Sequence, residues 1–375
     1  MALAATQAAA VTVEADVLRS MDGFEALAPE WSGFEAARQH PLLSHGWFAA
    51  AAESLHAGDR LCVITIRRDG RLAAAAPLAE VAREGRLRLE FIGSHALYEP
   101  AGFLYADREA LDRLCKAIIR LRRPMALLRL PATGRDVRSL AAAALWRGLR
   151  LAVASPPCVR VNLNAGWDAY LATRAPTAIA GIERKRRRLA AAGSVRFQML
   201  APDPGSALAA LDEAVDVEED GWKGRAGSAM RLNPPILAFV RALAARFAAA
   251  GSLRIAFLRS GDTAIATCIM LEWNGRLWGI KKGYRESAGR YSPGAILLHD
   301  VLREACRRGL DGYEFLGSGD ALQPAWGNGS RDLQSLLFYP YSLRGAWTLA
   351  ADVAGRFSRR RAPAQRIGDG KGESS

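Results

Sequence analysis

Three alternating apolar runs, 253–259, 263–272 and 276–282, are parted only by a Gly261-Asp262 turn and an Asn274-Gly275 turn. Asn-Gly is a strong hairpin signal, because a tight primed turn needs φ above zero at both central residues. The stretch is thereby committed to an antiparallel meander, and its surroundings must cover its faces. Before it, the periodicity predicts a strand over 195–200 and helices over 205–222 and 235–249. After it comes Gly289-Arg-Tyr-Ser-Pro-Gly-Ala-Ile-Leu-Leu-His-Asp-Val301, the opening of a helix whose inner stripe is Leu298, Val301, Leu302, Ala305 and Gly309. A strand at 312–316, a polar loop over 317–331 and a strand at 333–339 complete the order β-α-α-β-β-β-α-β-loop-β.

Residues 11–163 repeat that order more loosely: strands at 11–17, 61–67, 71–81, 86–92, 125–130 and 159–163, with helices at 31–38, 44–55, 107–121 and 135–146. An internal duplication of one α/β unit is the natural reading, carried by element order and not by residue identity. With 375 residues, half of them hydrophobic, two cores are affordable. The expected units are 1–165, a helical basic connector over 166–194, a second unit over 195–345, and a disordered basic tail over 357–375.

The net charge of +13 is almost entirely arginine, with lysine only at 116, 185, 223, 281, 282 and 371. Such a bias can reflect coding composition, so nucleic acid is not the expected partner; anionic small molecules or a peripheral contact with a membrane surface fit better. Five scattered cysteines without CxxC spacing argue for a reducing compartment and against a metal site. The first twenty residues lack a basic start and a leucine-rich centre, and no apolar window of about 18 residues exists. The expectation is a soluble cytoplasmic protein without a transmembrane segment.

Several residues could carry chemistry. In Ser292-Pro293-Gly294, serine can cap the helix, proline suits an early helical position, and glycine lets an anion approach N–H groups at the positive end of the dipole. On helix 205–222, Glu218 and Glu219 flank the apolar stripe Leu208, Leu211, Val215 and Trp222, where a carboxylate is costly unless paired or useful. Either could act as general base, or pair with Lys223 or Arg225. Strict alternation puts Trp278, Ile280 and Lys282 on one face of their strand and Gly279 and Lys281 on the other. Asp320 is an acid/base candidate in the loop after strand 312–316, and an Asx turn explains it as well. The run Glu183-Arg-Lys-Arg-Arg-Arg188 wraps around its helix and reads first as a solvated surface, with an anion contact as the alternative. His299 could serve a ligand or lie at the surface.

The strand ending Lys281-Lys-Gly-Tyr284, then Tyr291-Ser-Pro-Gly294, a helix, and Gly309 through Phe315-Leu316-Gly317 resemble the C-terminal half of GNAT-type acyltransferases of the cellulose-biosynthesis-associated CelD branch. These are related to FemAB-like tandem proteins. Glu219-Asp-Gly-Trp-Lys-Gly224 resembles the Trp-Lys pair of that branch, and the likeness covers roughly residues 170–340. It implies an α/β fold of two tandem GNAT-like units with mixed central sheets flanked by helices. It also implies transfer of an acetyl or other acyl group from acyl-coenzyme A to an amine or hydroxyl acceptor, without metal. By the same resemblance, Ser292, Gly294, Ala295 and Ile296 would hold the coenzyme. Trp222, Lys223, Lys282 and Tyr284 are the expected substrate-binding residues, and the residue patterns above make Glu218, Glu219 and Asp320 the expected acid/base residues. The usual superfamily signature, Arg/Gln-x-x-Gly-x-Gly/Ala, is not met, so coenzyme A rests on position. The first half lacks a Pro-Gly helix start and has Tyr98-Glu-Pro-Ala-Gly102 at the matching corner; it is expected to shape an acceptor cleft. A FemAB-like aminoacyl transferase using charged tRNA, and a non-catalytic scaffold of a polysaccharide or lipid pathway, are the rival readings.

Overall fold

A computed structural model describes residues 12–56, 60–83, 85–221, 224, 227, 229–317 and 322–361. The meander forms as its turns require, with φ of 46° at Asn274 and 70° at Gly275. Its strands belong to one mixed sheet. In chain order the strands are β1 (Val13–Leu18), β2 (Leu61–Arg68), β3 (Arg71–Arg83), β4 (Arg86–Phe91), β5 (Leu104–Tyr105), β6 (Met125–Pro131), β7 (Gly148–Asn162), β8 (Val195–Leu200), β9 (Leu253–Ser260), β10 (Thr263–Trp273), β11 (Arg276–Tyr284), β12 (Gly312–Phe315) and β13 (Gly329–Pro340).

Spatial order is β1-β2-β3-β4-β6-β13-β7-β12-β11-β10-β9-β8, with β5 on β3. The two halves therefore exchange their closing strands. β13, from the end of the chain, pairs with β6 of the first half, and β7 pairs with β12 of the second. The long β7–β13 antiparallel pair, from Gly329↔Arg160 to Pro340↔Gly148, forms the seam. β7 spans 148–162, far beyond the strand expected at 159–163.

Helices Ala207–Glu219, Pro234–Ala249 and His45–Leu55 share one apolar layer on one face of the sheet. There Trp47 meets Phe239 edge-on with ring centroids 5.1 Å apart. Each such ring buried is worth about 2–3 kcal/mol, and the layer mixes residues 24–104 with 207–278, so it ties the halves into one packed body. The other face of the second half is covered by helices Pro293–Arg307 and Pro176–Ala191, and helix Arg108–Arg120 packs on the first-half strands in a separate core. A last helix, Leu343–Arg361, carries regular structure into the segment expected to be tail from 357; residues 362–375 lie outside the described residues.

Two histidines at the join between helical layer and sheet are held neutral. The His40 ring lies on Trp278, centroids 4.4 Å apart, and burial next to Arg331 pushes its pKa down to about 3. Burial pushes His56 down to about 4, and its Nε2 accepts from Gly93 N–H at 2.9 Å, which a protonated ring could not do. An unfolded histidine titrates near 6.5, so the unfolded chain binds more protons than the folded one below that pH. Stability is expected to fall as pH drops through 6.5 toward 4. Urea unfolding midpoints at pH 7 and pH 5 test this, and His40→Gln should shrink their difference.

Candidate functional site

β11 and β12 run parallel from Arg276↔Gly312 to Gly279↔Phe315 and then part, because β12 stops while β11 continues to Tyr284. Where they part, the register with β10 slips: Gly279 faces Met270 and Lys281 faces Ile269, so Ile280 is the inserted residue of a β-bulge. The bulge resets the alternation expected from sequence. Lys281 shares a face with Ile269 and the apolar helical layer, whereas Lys282 pairs with Cys268 on the opposite face. There the Lys282 ammonium lies 5.3 Å from the centroid of the Phe315 ring. Lys282 is thus not on the face of Trp278 and Ile280.

Helix Ala207–Glu219 ends pressed onto β11. A Cβ on Gly283 would sit 2.6 Å from Glu218 Cα, so only glycine lets strand and helix come this close. Glu218 is buried beside that strand, and its Oε2 accepts from Met230 N–H at 2.9 Å. Glu219 instead pairs with Arg231 at 2.9 Å on the surface, which accounts for it as an ion pair. Trp222, Lys223 and Asp320 lie outside the described residues.

The Ser292 corner differs from expectation in one respect. Ser292 has left-handed backbone angles (φ 50°, ψ 55°), which turn its side chain away from the helix N–H groups, so it does not cap. Its Oγ instead accepts from Lys185 Nζ at 2.8 Å. The N–H groups of Ala295 and Ile296 both turn to Ser292 O, at 3.0 and 3.3 Å, and the Ile296 side chain belongs to the core. Approach to this turn is over Gly294, where an added Cβ would meet only the Tyr284 ring at 3.7 Å. Lys185 and Arg186 of the basic run thus face inward, Arg186 paired with Asp300, while Arg184, Arg187 and Arg188 are exposed. His299 is buried between Trp167 and Trp326, not at the surface.

The matching corner of the first half is already filled by a carboxylate. Asp107 caps helix Arg108–Arg120, accepting from Ala110 N–H at 2.9 Å, and pairs with Arg68 at 2.8 Å. The Arg68 hydrogen bond holds Asp107 below the usual carboxylate range. A phosphate would meet a fixed negative charge there.

The first half reaches the gap where β11 and β12 part through Glu99 and Arg129, to which the sequence pattern assigns no individual role. Glu99 Oε2 accepts from Gly317 N–H at 2.9 Å, two residues past the end of β12. Arg129, fully buried with φ 54°, donates to Gly317 O at 3.3 Å and to Cys158 Sγ at 3.0 Å, and stacks 4.9 Å over the Tyr98 ring. Both backbone groups of Gly317 are therefore pinned from the other half. Glu99 keeps part of its surface open, yet desolvation by the surrounding protein pushes its carboxyl up to about 7, against the pull of the Gly317 N–H, Arg129 and Lys281. The legible signal was the extended Tyr98-Glu-Pro-Ala-Gly102 segment; its contact with Gly317, 218 residues away, was not.

Residues 178–323 match the family model described as an acetyltransferase (GNAT) domain. No curated protein matches the chain. Among solved structures, the C-terminal DUF2156 domain of an Agrobacterium fabrum protein provisionally assigned as a lysylphosphatidylglycerol synthetase is similar at 12% identity, with a TM-score of 0.55 over 88% of this chain and 96% of that one. FemX is similar at 10% identity and TM-score 0.54, over 87% and 97% of the chains. L-PGS from Bacillus licheniformis follows at 11% and 0.52, over 90% and 98%. The fold is the mixed α/β, tandem GNAT-like one that the resemblance implied, with a large mixed sheet flanked by helices. Among the described residues no cluster suits a metal ion, and no helix is long and apolar enough to cross a membrane.

Proposed function

We propose that the chain transfers an acyl group from acyl-coenzyme A to an amine or hydroxyl acceptor, using the slot between β11 and β12. The observation that carries this is the slot's asymmetry: a cationic turn for phosphates at one end, and a desolvated carboxylate across the sheet at the other. The pyrophosphate would lie over Gly294 beside Lys185, and the pantetheine arm would run between the strands past Phe315 and Lys282. A backbone N–H near the Ile280 bulge would polarise the thioester carbonyl. The acceptor would enter from the Lys281 face, where Glu99 takes its proton as nitrogen or oxygen attacks; the C–S bond breaks and coenzyme A leaves as thiolate. Glu218 would hold the wall of the slot. The first half, its corner filled by Asp107, would build the acceptor side and bind no donor, and residues 166–194 would connect the two units.

The resemblance to the CelD branch suggests a saccharide or lipid-linked acceptor and a cytoplasmic setting. The exposed Arg184, Arg187 and Arg188 support a second reading, a FemAB-like aminoacyl transfer from charged tRNA. Thiol release from acetyl-coenzyme A, with amine and hydroxyl acceptors supplied, tests the first reading, and tRNA retention that coenzyme A does not relieve would favour the second. Lys185→Ala is expected to weaken coenzyme A binding about tenfold, the size of one charge-assisted hydrogen bond. Calorimetry measures it, and unchanged affinity would remove Lys185 from the seat.

A further inference from the structure

Over residues 343–354, helix Leu343–Arg361 turns its largest apolar side chains away from the sheet. Thr348 is buried, and Asp352 faces inward, taking Tyr339 Oη–H at 2.7 Å and Arg88 at 2.9 Å. Leu343 is 93% exposed and Trp347 70% exposed. At about 100° per residue, Leu343, Trp347, Ala350 and Ala354 form one outward stripe. The inward side holds Gly345, Thr348 and Asp352, flanked by the half-buried Leu349, so the largest apolar side chains are the outward ones.

This stripe continues into a neighbouring loop. The β7–β13 seam ends with Gly148 opposite Pro340, and Tyr341 N–H donates to Arg147 O at 3.1 Å, which brings 145–149 beside the start of the helix. That loop exposes Trp146 (85%), held at φ 61°, and Leu145 (62%); Tyr341 (65%) stands next to them. Single exposed apolar residues are ordinary, but two tryptophans, a tyrosine and leucines exposed on two segments that this backbone pairing holds side by side are not. The rim is cationic: Arg122, Arg147, Arg150 and Arg344 are exposed around it. Between 341 and 354 and between 145 and 153 the only acidic residue is the inward Asp352.

We infer that this surface docks the protein on an anionic lipid bilayer. Tryptophan and tyrosine favour the headgroup boundary, leucine the acyl region just below it, and the arginine rim the surface charge of acidic lipids. Charge complementarity favours such a bilayer over an uncharged protein face. The slot is built from other residues, so the inference does not depend on the acyl donor.

Co-sedimentation of the full chain with vesicles of phosphatidylcholine, with and without phosphatidylglycerol, tests it. The chain should pellet with the anionic vesicles, less so at high salt. The doubly substituted W146S/W347S chain should bind them at least about tenfold more weakly, with an unchanged melting temperature and unchanged coenzyme A binding. Three outcomes overturn the inference: no pelleting with either vesicle, equal pelleting of the variant, or a dimer in solution that the variant converts to monomer, which would make the patch an interface between copies.

Discussion

Gly294→Asp is expected to abolish coenzyme A binding, by about 100-fold or more, while leaving the fold intact. A carboxylate over this turn would lie near the donor's phosphates, and two like charges about 5 Å apart at an effective dielectric of 20 repel by about 3 kcal/mol, which exceeds the roughly 2.7 kcal/mol that a 100-fold loss requires. The same aspartate sits in the first turn of helix Pro293–Arg307, where a negative charge favours the dipole, so the melting temperature should not fall. Gly294→Ala is the control. Its Cβ would meet only the Tyr284 ring in the protein, at ordinary contact distance, so the fold should hold; the methyl would stand where the phosphates lie, so affinity should fall, but less than in Gly294→Asp. Calorimetry with coenzyme A reads both variants, and equal affinity in Gly294→Asp would sink the placement of the phosphates.

Glu99→Gln is expected to lower kcat by about 10² to 10³, the usual worth of a positioned general base. Glutamine can still accept from Gly317 N–H, so the loop after β12 should stay in place and KM for the acyl donor should barely move. The pH profile separates catalysis from positioning. With a carboxyl pushed up to about 7, Glu99 is protonated and idle below that pH, so wild-type kcat should rise through about 7 and level off. The variant should lose that limb. A limb that survives in Glu99→Gln would move the base elsewhere, with buried Glu218 the next residue to test.

The second half of the fold was legible because its periodicities change cleanly between strand and helix, and the Asn274-Gly275 turn fixed the meander. The exchange of β7 and β13 was not. Strand pairing across the seam is non-local, and Pro156-Pro157 inside β7 reads as a break. A single inserted residue, Ile280, defeated the alternation argument and moved Lys281 and Lys282 to the opposite faces. Ser292 reads as a cap in the sequence and does not cap, since its left-handed backbone follows the preceding 3₁₀ turn, Glu286–Tyr291. Lys185 and Glu99 approach the slot from segments 107 and 218 residues away from their partners, a proximity no local pattern encodes. The Leu343–Arg361 helix escaped notice because the sequence reading assigned no element between strand 333–339 and the tail, and its apolar stripe faces outward.

Hydrogen–deuterium exchange of the full chain with and without acetyl-coenzyme A tests the central claim most directly, because it locates the ligand. Slower exchange is expected in peptides covering Ile280–Tyr284 and Ser292–Ile296, with the matching first-half corner at Asp107–Ala110 unchanged. Protection at Asp107–Ala110, or none in either place, would contradict it.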